Sequence, residues 1–411
     1  MATKGAKSRV LIVGAGLGGL TLAQCLRKQG IPFEVFERDI DVSSRSQGWA
    51  IAMHTERSIV DDLLLSVCSD MPPLRESTNH LAPLNLDAQI ALYYGGRRLG
   101  VQNTPETPCM RANRLRLRKW LATEIPIQWG KKLQAIEEGK GQVTLRFADG
   151  KTAEGDIVVG ADGVQSIVRE YLLQKPNTET LNYIPMGIIV GETVLSGAAM
   201  ERQLSLGRSC YTTSDKNRSF SLFVGLDKVR EDQNSGEFYW FVVWNDNDVD
   251  KPDHWLKRAS TSAKLEHALK LTEALDPSFR EVVQLTPAEG ILDKQMVYRD
   301  AEITDLPVGR VTLLGDAIHP MVPFRGEGGM HALRDAINLS KVLSQLDMGD
   351  PRSMETAMAS YQQEITSRGV EAVRMSRNAI TNNNSGGKII SWGHEAKPLP
   401  EEHVSLESCR T

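Results

Sequence analysis

The 411-residue chain is 41% hydrophobic and 24% charged, with a formal net charge of -4. That suffices for one large domain or two intertwined ones, and it leaves no electrostatic footprint for nucleic acid or anionic lipid. No apolar run approaches the roughly 18 residues of a membrane span. The five cysteines (Cys25, Cys68, Cys109, Cys210, Cys409) are scattered without a CxxC pair. They argue against a disulfide framework and for a reducing, cytoplasmic compartment. His319 and His331 have no partners at metal-ligand spacing, so no metal is expected. The polar start, MATKGAKSR, is not expected to act as a secretory signal.

In chain order, residues 9–13 (RVLIV) form a β-branched run suited to a strand buried on both faces. GAGLGG and the helix-like LTLAQCLRKQ follow, closed by Gly30, and then a second strand, FEVFE. This is a crossover unit of a parallel sheet. Residues 143–147 alternate, and DIVVGADG supplies a further apolar strand. Between about 180 and 245, aromatic and β-branched segments such as EFYWFVVW predict an antiparallel sheet, read as a second domain inserted into the first. Helical character returns over 255–282. A late strand, VTLLGDA, leads through a glycine-rich loop into a helix ending near Leu346. Ala332, Ala336, Leu339, Leu343 and Leu346 form its apolar stripe, with Asp335 expected on the polar face. From residue 382 onward a loosely held polar tail is expected.

Gly14-x-Gly16-x-x-Gly19 sits between a strand and a helix. Gly14 permits the tight turn, Gly16 lets backbone approach a pyrophosphate, and Gly19 lets helix and strand pack closely. The helix N-terminus offers unpaired N–H groups to phosphate. Glu37 ends the second strand, placed to accept from ribose hydroxyls, and Arg38 beside it is a further candidate cofactor contact. This register points to a dinucleotide without separating NAD from FAD.

Two later motifs complete a pattern: Asp162-Gly163 with Ser166 and Arg169, and Gly315-Asp316 with His319, Pro320, Pro323, Gly326 and Gly328. With the glycine loop, in this order, they make the chain resemble class A flavoprotein monooxygenases, the para-hydroxybenzoate hydroxylase-like family, over residues 9–345. The closer texture resembles fungal natural-product members. The resemblance implies an α/β fold: a Rossmann-like FAD-binding domain (residues 1–178 and 291–381, with a C-terminal helix), an inserted antiparallel substrate domain (179–290) and the tail (382–411). It implies that Asp316 holds the ribityl chain of non-covalently bound FAD. Gly326, Gly328 and Gly329 would turn N–H groups toward the flavin and phosphates, and Pro323 would lie beside the flavin. Asp162 and Gly163 would support the pyrophosphate region and a transient NADPH or NADH. Arg114, with Arg118 second, would reach the phosphates or ribityl chain; the alternative is a solvated basic helix face. Backbone near Ala50 would pass the flavin. Met330 stands where many members carry asparagine.

The activity implied is a monooxygenase acting on an aromatic, indole or polyketide-like small molecule with NAD(P)H and O2, through a flavin hydroperoxide, as a monomer or homodimer. A reductase of the same fold and a non-catalytic Rab-dissociation-inhibitor-like module are the alternatives. Hydroxylating a phenol needs a group to take or hold its proton. Arg208 and Tyr239, on neighbouring expected strands, are the catalytic candidates, against a reading of Tyr239 as core and Arg208 as merely exposed. His54 is a third candidate. If Tyr239 faces the flavin, Trp240 faces away and Phe241 faces in.

Overall fold

The computed structural model describes residues 9–44, 48–53, 57–105, 107–347, 350–379, 390–391 and 394–409. A five-stranded parallel sheet runs in the order Val311–Leu313, Ile157–Gly160, Val10–Val13, Phe33–Phe36, Ile127–Gln128. Val10–Val13 and Ile157–Gly160 are buried along their whole length, as runs without polar alternation must be. The helix Leu17–Gln29 packs against Gly328–Ser344 over this sheet. Gly30 closes the first helix at φ 62°, and its N–H bonds the carbonyls of Arg27 and Leu26.

The second sheet has seven strands, in the order Met186–Ser196, Ser235–Asn245, Phe220–Val229, Cys210–Ser214, Gln89–Tyr94, Arg97–Gln102, Lys397–Pro398. All its pairings are antiparallel except that of Cys210–Ser214 with Gln89–Tyr94. The expected confinement of this sheet to 179–290 is therefore corrected. Two strands come from the first segment and one from the end of the chain. The overlooked signal was Gly95-Gly96, with φ of 56° and 74°, the left-handed pair that a two-residue hairpin turn requires.

One face of the sheet packs on helices Gly197–Leu206, Thr261–Thr272 and Pro277–Gln284. Trp240 lies on that face, fully buried, with its Nε1 donating to Thr286 Oγ1 at 2.8 Å. Gly191 opposite leaves room for the indole, since a Cβ there would come within 2.3 Å of it. The other face looks across a cavity to the loops that follow strands of the parallel sheet.

The expectation of a loose tail also needs correction over 394–409. Val404, Leu406 and Cys409 are buried in the core behind the second sheet, and Lys397–Pro398 adds an edge strand. A few apolar residues at wide spacing escape any periodicity test yet suffice to dock a segment.

Candidate functional site

The glycine loop is built as its spacing requires. Gly14 sits at φ 112°, and a Cβ there would fall 2.3 Å from the Ala161 carbonyl. At Gly19 it would fall 2.1 Å from the Gly14 carbonyl, but at Gly16 it would meet nothing within 4 Å. Gly14 and Gly19 thus shape the turn, and Gly16 opens onto a cavity of about 1120 Å³ between the two sheets.

That cavity gathers, from segments far apart in the chain, Gly16, Ala50, Arg114, Gly163, Tyr239, Asp316, Pro323, Gly326, Gly328 and Gly329. Other candidates stand behind its wall. Glu37 accepts from Ala15 N–H at 2.8 Å and from Asp39 N–H at 3.1 Å, so its carboxylate braces the loop. Arg118 donates from Nε to the Ala15 carbonyl at 2.8 Å and approaches Glu37 at 3.7 Å. Of the three arginines on the helix Arg114–Leu121, only Arg114 lines the cavity. Asp162 accepts from Ile167 N–H at 2.8 Å at the start of the helix Ile167–Leu173, while its Oδ1 is buried without a partner among the described residues. Arg169 ties the second motif to the third, donating to the carbonyls of Ala317 at 2.9 Å and Val164 at 2.5 Å.

Two candidates are brought neither to the cavity nor to the wall behind it. Arg38 is exposed and lines no part of it. Arg208 forms an ion pair with Glu402 of the C-terminal segment. Sequence alone had no means of supplying that partner, 194 residues away. His54 lies outside the described residues.

The expectation for Asp335 is overturned. It is fully buried, and it accepts from Gly315 N–H at 2.7 Å, from His319 Nε2 at 2.7 Å and from Arg368 at 2.6 Å. Burial alone would raise its pKa, but His319 and Arg368 hold the carboxyl well below the usual range. For His319 burial disfavours the charge, yet Asp335 raises its pKa. Asp335 therefore anchors the loop that presents Asp316. No hydrogen bond reaches the Asp316 carboxyl from the described residues, and burial raises its pKa against the pull of Arg114.

Tyr239 lies on the cavity face of its strand, as does Phe241, while Trp240 lies on the opposite face. The Tyr239 ring stacks on Trp49, with centroids 4.8 Å apart and an angle of 11°. Its hydroxyl accepts from the guanidinium of Arg111. Arg111 is 1% exposed and also donates to the carbonyls of Ser209 at 2.5 Å, Leu226 at 3.2 Å and Ala50 at 3.1 Å. Burial pushes the Tyr239 phenol well above its ordinary pKa, with Arg111 opposing the rise. Tyr239 can therefore hold a proton at neutral pH and is no base. Sequence reasoning missed Arg111 and Trp49. The one signal for Arg111 was a lone arginine inside the apolar strand Met110–Ala112.

These features suit FAD: a phosphate approach at Gly16, a half-buried carboxyl at Asp316 that faces the cavity and could accept from a ribityl hydroxyl, and glycine backbone at 326, 328 and 329. Comparison with known proteins agrees. Residues 7–376 match the family described as FAD binding domain. The chain is 47% identical over 407 residues to the FAD-dependent monooxygenase thnD of Trichoderma harzianum, covering 97% of this chain and 99% of that protein. It is 30% identical over 400 residues to the FAD-dependent monooxygenase nscC of Aspergillus fumigatus, covering 90% and 93%. Among solved structures, a putative FAD-containing monooxygenase from Photorhabdus luminescens superposes with a TM-score of 0.71 at 25% identity, covering 91% of this chain and 99% of that one. HpxO of Klebsiella pneumoniae, solved with FAD and uric acid, shares the fold with a TM-score of 0.71 at 20% identity, covering 92% and 89%.

The chain belongs to the class A FAD-dependent monooxygenase family, the para-hydroxybenzoate hydroxylase type. It is an oxidoreductase with FAD as its cofactor, and NAD(P)H is the co-substrate typical of that family. No helix among the described residues is long and apolar enough to cross a membrane.

Proposed function

We propose that this protein is an NAD(P)H-dependent monooxygenase of fungal natural-product metabolism that places one oxygen atom of O2 on an aromatic or polyketide-like molecule. The balance is substrate, O2, NAD(P)H and a proton giving oxygenated product, NAD(P)+ and water. The observation that carries the reading is the continuity of one cavity from Gly16, past Asp316 and Gly328, to an aromatic wall of Trp49, Tyr239, Phe241 and Phe223. Bound FAD supplies the redox chemistry with NAD(P)H and O2.

The chain's own residues bind, orient and exclude water. Gly16 and the helix behind it take the pyrophosphate. Asp316 takes a ribityl hydroxyl, and Arg114 answers the charge beside it. Gly326, Gly328 and Gly329 present backbone N–H groups where anionic charge collects. The aromatic wall seats a planar substrate and keeps the site dry. Tyr239, fixed by Arg111, holds a proton at its hydroxyl and gives the substrate a polar contact inside that wall. The test is NAD(P)H oxidation across a panel of phenols, indoles and aromatic polyketides under isotopically labelled O2. A substrate that accelerates oxidation and gains one labelled oxygen supports the reading; oxidation that never yields labelled product overturns it.

A further inference from the structure

The wall opposite the glycine loop changes character along its strands. Sheet register sets Phe241, Phe223, Thr212 and Leu92 side by side, and two residues further on it sets Val243, Ser221 and Ser214 side by side. Tyr94 follows Leu92 on the same face, and all of these line the cavity. At roughly 3.3 Å per residue, Tyr239 to Asn245 covers about 20 Å of wall, enough for several fused rings. Over that length the surface passes from aromatic to hydroxyl-bearing. The side chains of Thr212, Ser214 and Ser221 make no hydrogen bond with the described residues.

Beyond the serines lies Arg218, whose guanidinium stands over the Tyr94 ring, 4.2 Å from its centroid. Among the described residues, no carboxylate pairs with it. The neighbouring Asp215 is occupied by the turn, accepting from Ser219 N–H at 2.7 Å, Ser219 Oγ at 2.9 Å and Asn217 N–H at 3.3 Å. That turn holds Arg218 at φ 54°, a left-handed conformation in which arginine is unfavourable and glycine is at ease. The charges facing the cavity are Arg111, Arg114, Arg218, Arg325 and Asp316. Arg111 is engaged by three carbonyls and Tyr239, Arg325 is bound to Glu327, and Arg114 acts on Asp316. Among the described residues that line the cavity, Arg218 is the cation without a carboxylate or carbonyl partner.

We propose that this end of the cavity is an anion subsite. Arg218 and the Ser214 and Ser221 hydroxyls receive a terminal anionic oxygen group of an elongated, planar substrate whose rings lie along Phe223 and Phe241. The proposal rests on the monooxygenase reading for the word substrate, but it is tested by binding alone. Titration calorimetry of the FAD-loaded protein compares anthraquinone-2-carboxylate with its carboxamide, which has the same shape without the charge. The native protein binds the acid at least about tenfold more tightly, the scale of a charge-assisted contact. Arg218→Gly relieves the turn rather than straining it, and it abolishes that preference while leaving amide affinity unchanged. Arg218→Lys restores part of the preference. Equal affinities in the native protein, a preference that survives Arg218→Gly, or failure of both compounds to bind overturns the proposal. A failure of the monooxygenase reading shows separately, as absent labelled product, whatever the acid and amide do.

Discussion

The hydroxyl of Tyr239 and the guanidinium of Arg111 form a buried hydrogen-bonded pair at the cavity wall, joining the second sheet to the short strand Met110–Ala112. Tyr239→Phe removes the hydroxyl but leaves Arg111 its three carbonyl partners. The fold should lose only about 1 kcal/mol, while product formed per NAD(P)H consumed should fall roughly tenfold as peroxide release rises. The measurement is that ratio at full FAD occupancy. An unchanged ratio removes Tyr239 from the site.

Asp316 and Asp335 should fail in opposite ways. Asp316→Ala removes a carboxyl without hydrogen-bond partners among the described residues, so the apoprotein should melt normally while FAD affinity drops roughly ten- to a hundredfold. Asp335→Ala strands a buried His319 and Arg368 and should destabilise the fold by about 3–5 kcal/mol. Thermal melts of the apoproteins and FAD titrations separate the two. Similar behaviour in both would show that the Gly315–Asp316 loop does not depend on Asp335.

The glycine loop offers a sharper pair. Gly16→Ala adds a Cβ into open space, so apoprotein stability should hold while FAD binding weakens. Gly19→Ala drives a Cβ to 2.1 Å from the Gly14 carbonyl and should cost about 1–3 kcal/mol of stability. Denaturant melts with and without FAD distinguish them, and equal loss of apoprotein stability in both would contradict the assignment.

Asp227 makes stability depend on pH. Burial raises its pKa from 3.8 to about 6. The stability tied to its neutral form is fully present below pH 3.8 and is lost as pH rises through about 6. Asp227→Asn should therefore match the native protein near pH 4 and be more stable by on the order of 1–3 kcal/mol at pH 7.5. Melting temperature against pH reads this directly, and a constant difference across the range would refute it.

Arg208→Ala should leave the product-to-NAD(P)H ratio unchanged, because its partner is Glu402 and it does not line the cavity. It should instead cost about 1–3 kcal/mol by loosening the C-terminal segment from the second sheet. Limited proteolysis of residues 394–409 reports that release. A changed ratio with an intact segment would return Arg208 to the catalytic candidates.

What the sequence determined by itself is local. Gly14 turns the chain at a φ of 112° and Gly19 makes room for the Gly14 carbonyl five residues before it, so the spacing of the glycines announces the strand, turn and helix. The alternation that sends Tyr239 and Phe241 one way and Trp240 the other follows from the two-residue period of a strand. What only the tertiary structure decided depends on partners distant in sequence. Asp335 reads as a polar-face residue until His319 and Arg368 close around it, because the cost of burying a charge is met by groups no helical period reveals. Arg111 looks like any arginine until four acceptors surround it, and Arg208 until Glu402 meets it. Those contacts lie 16 to 194 residues apart along the chain, beyond the range over which neighbouring residues constrain one another.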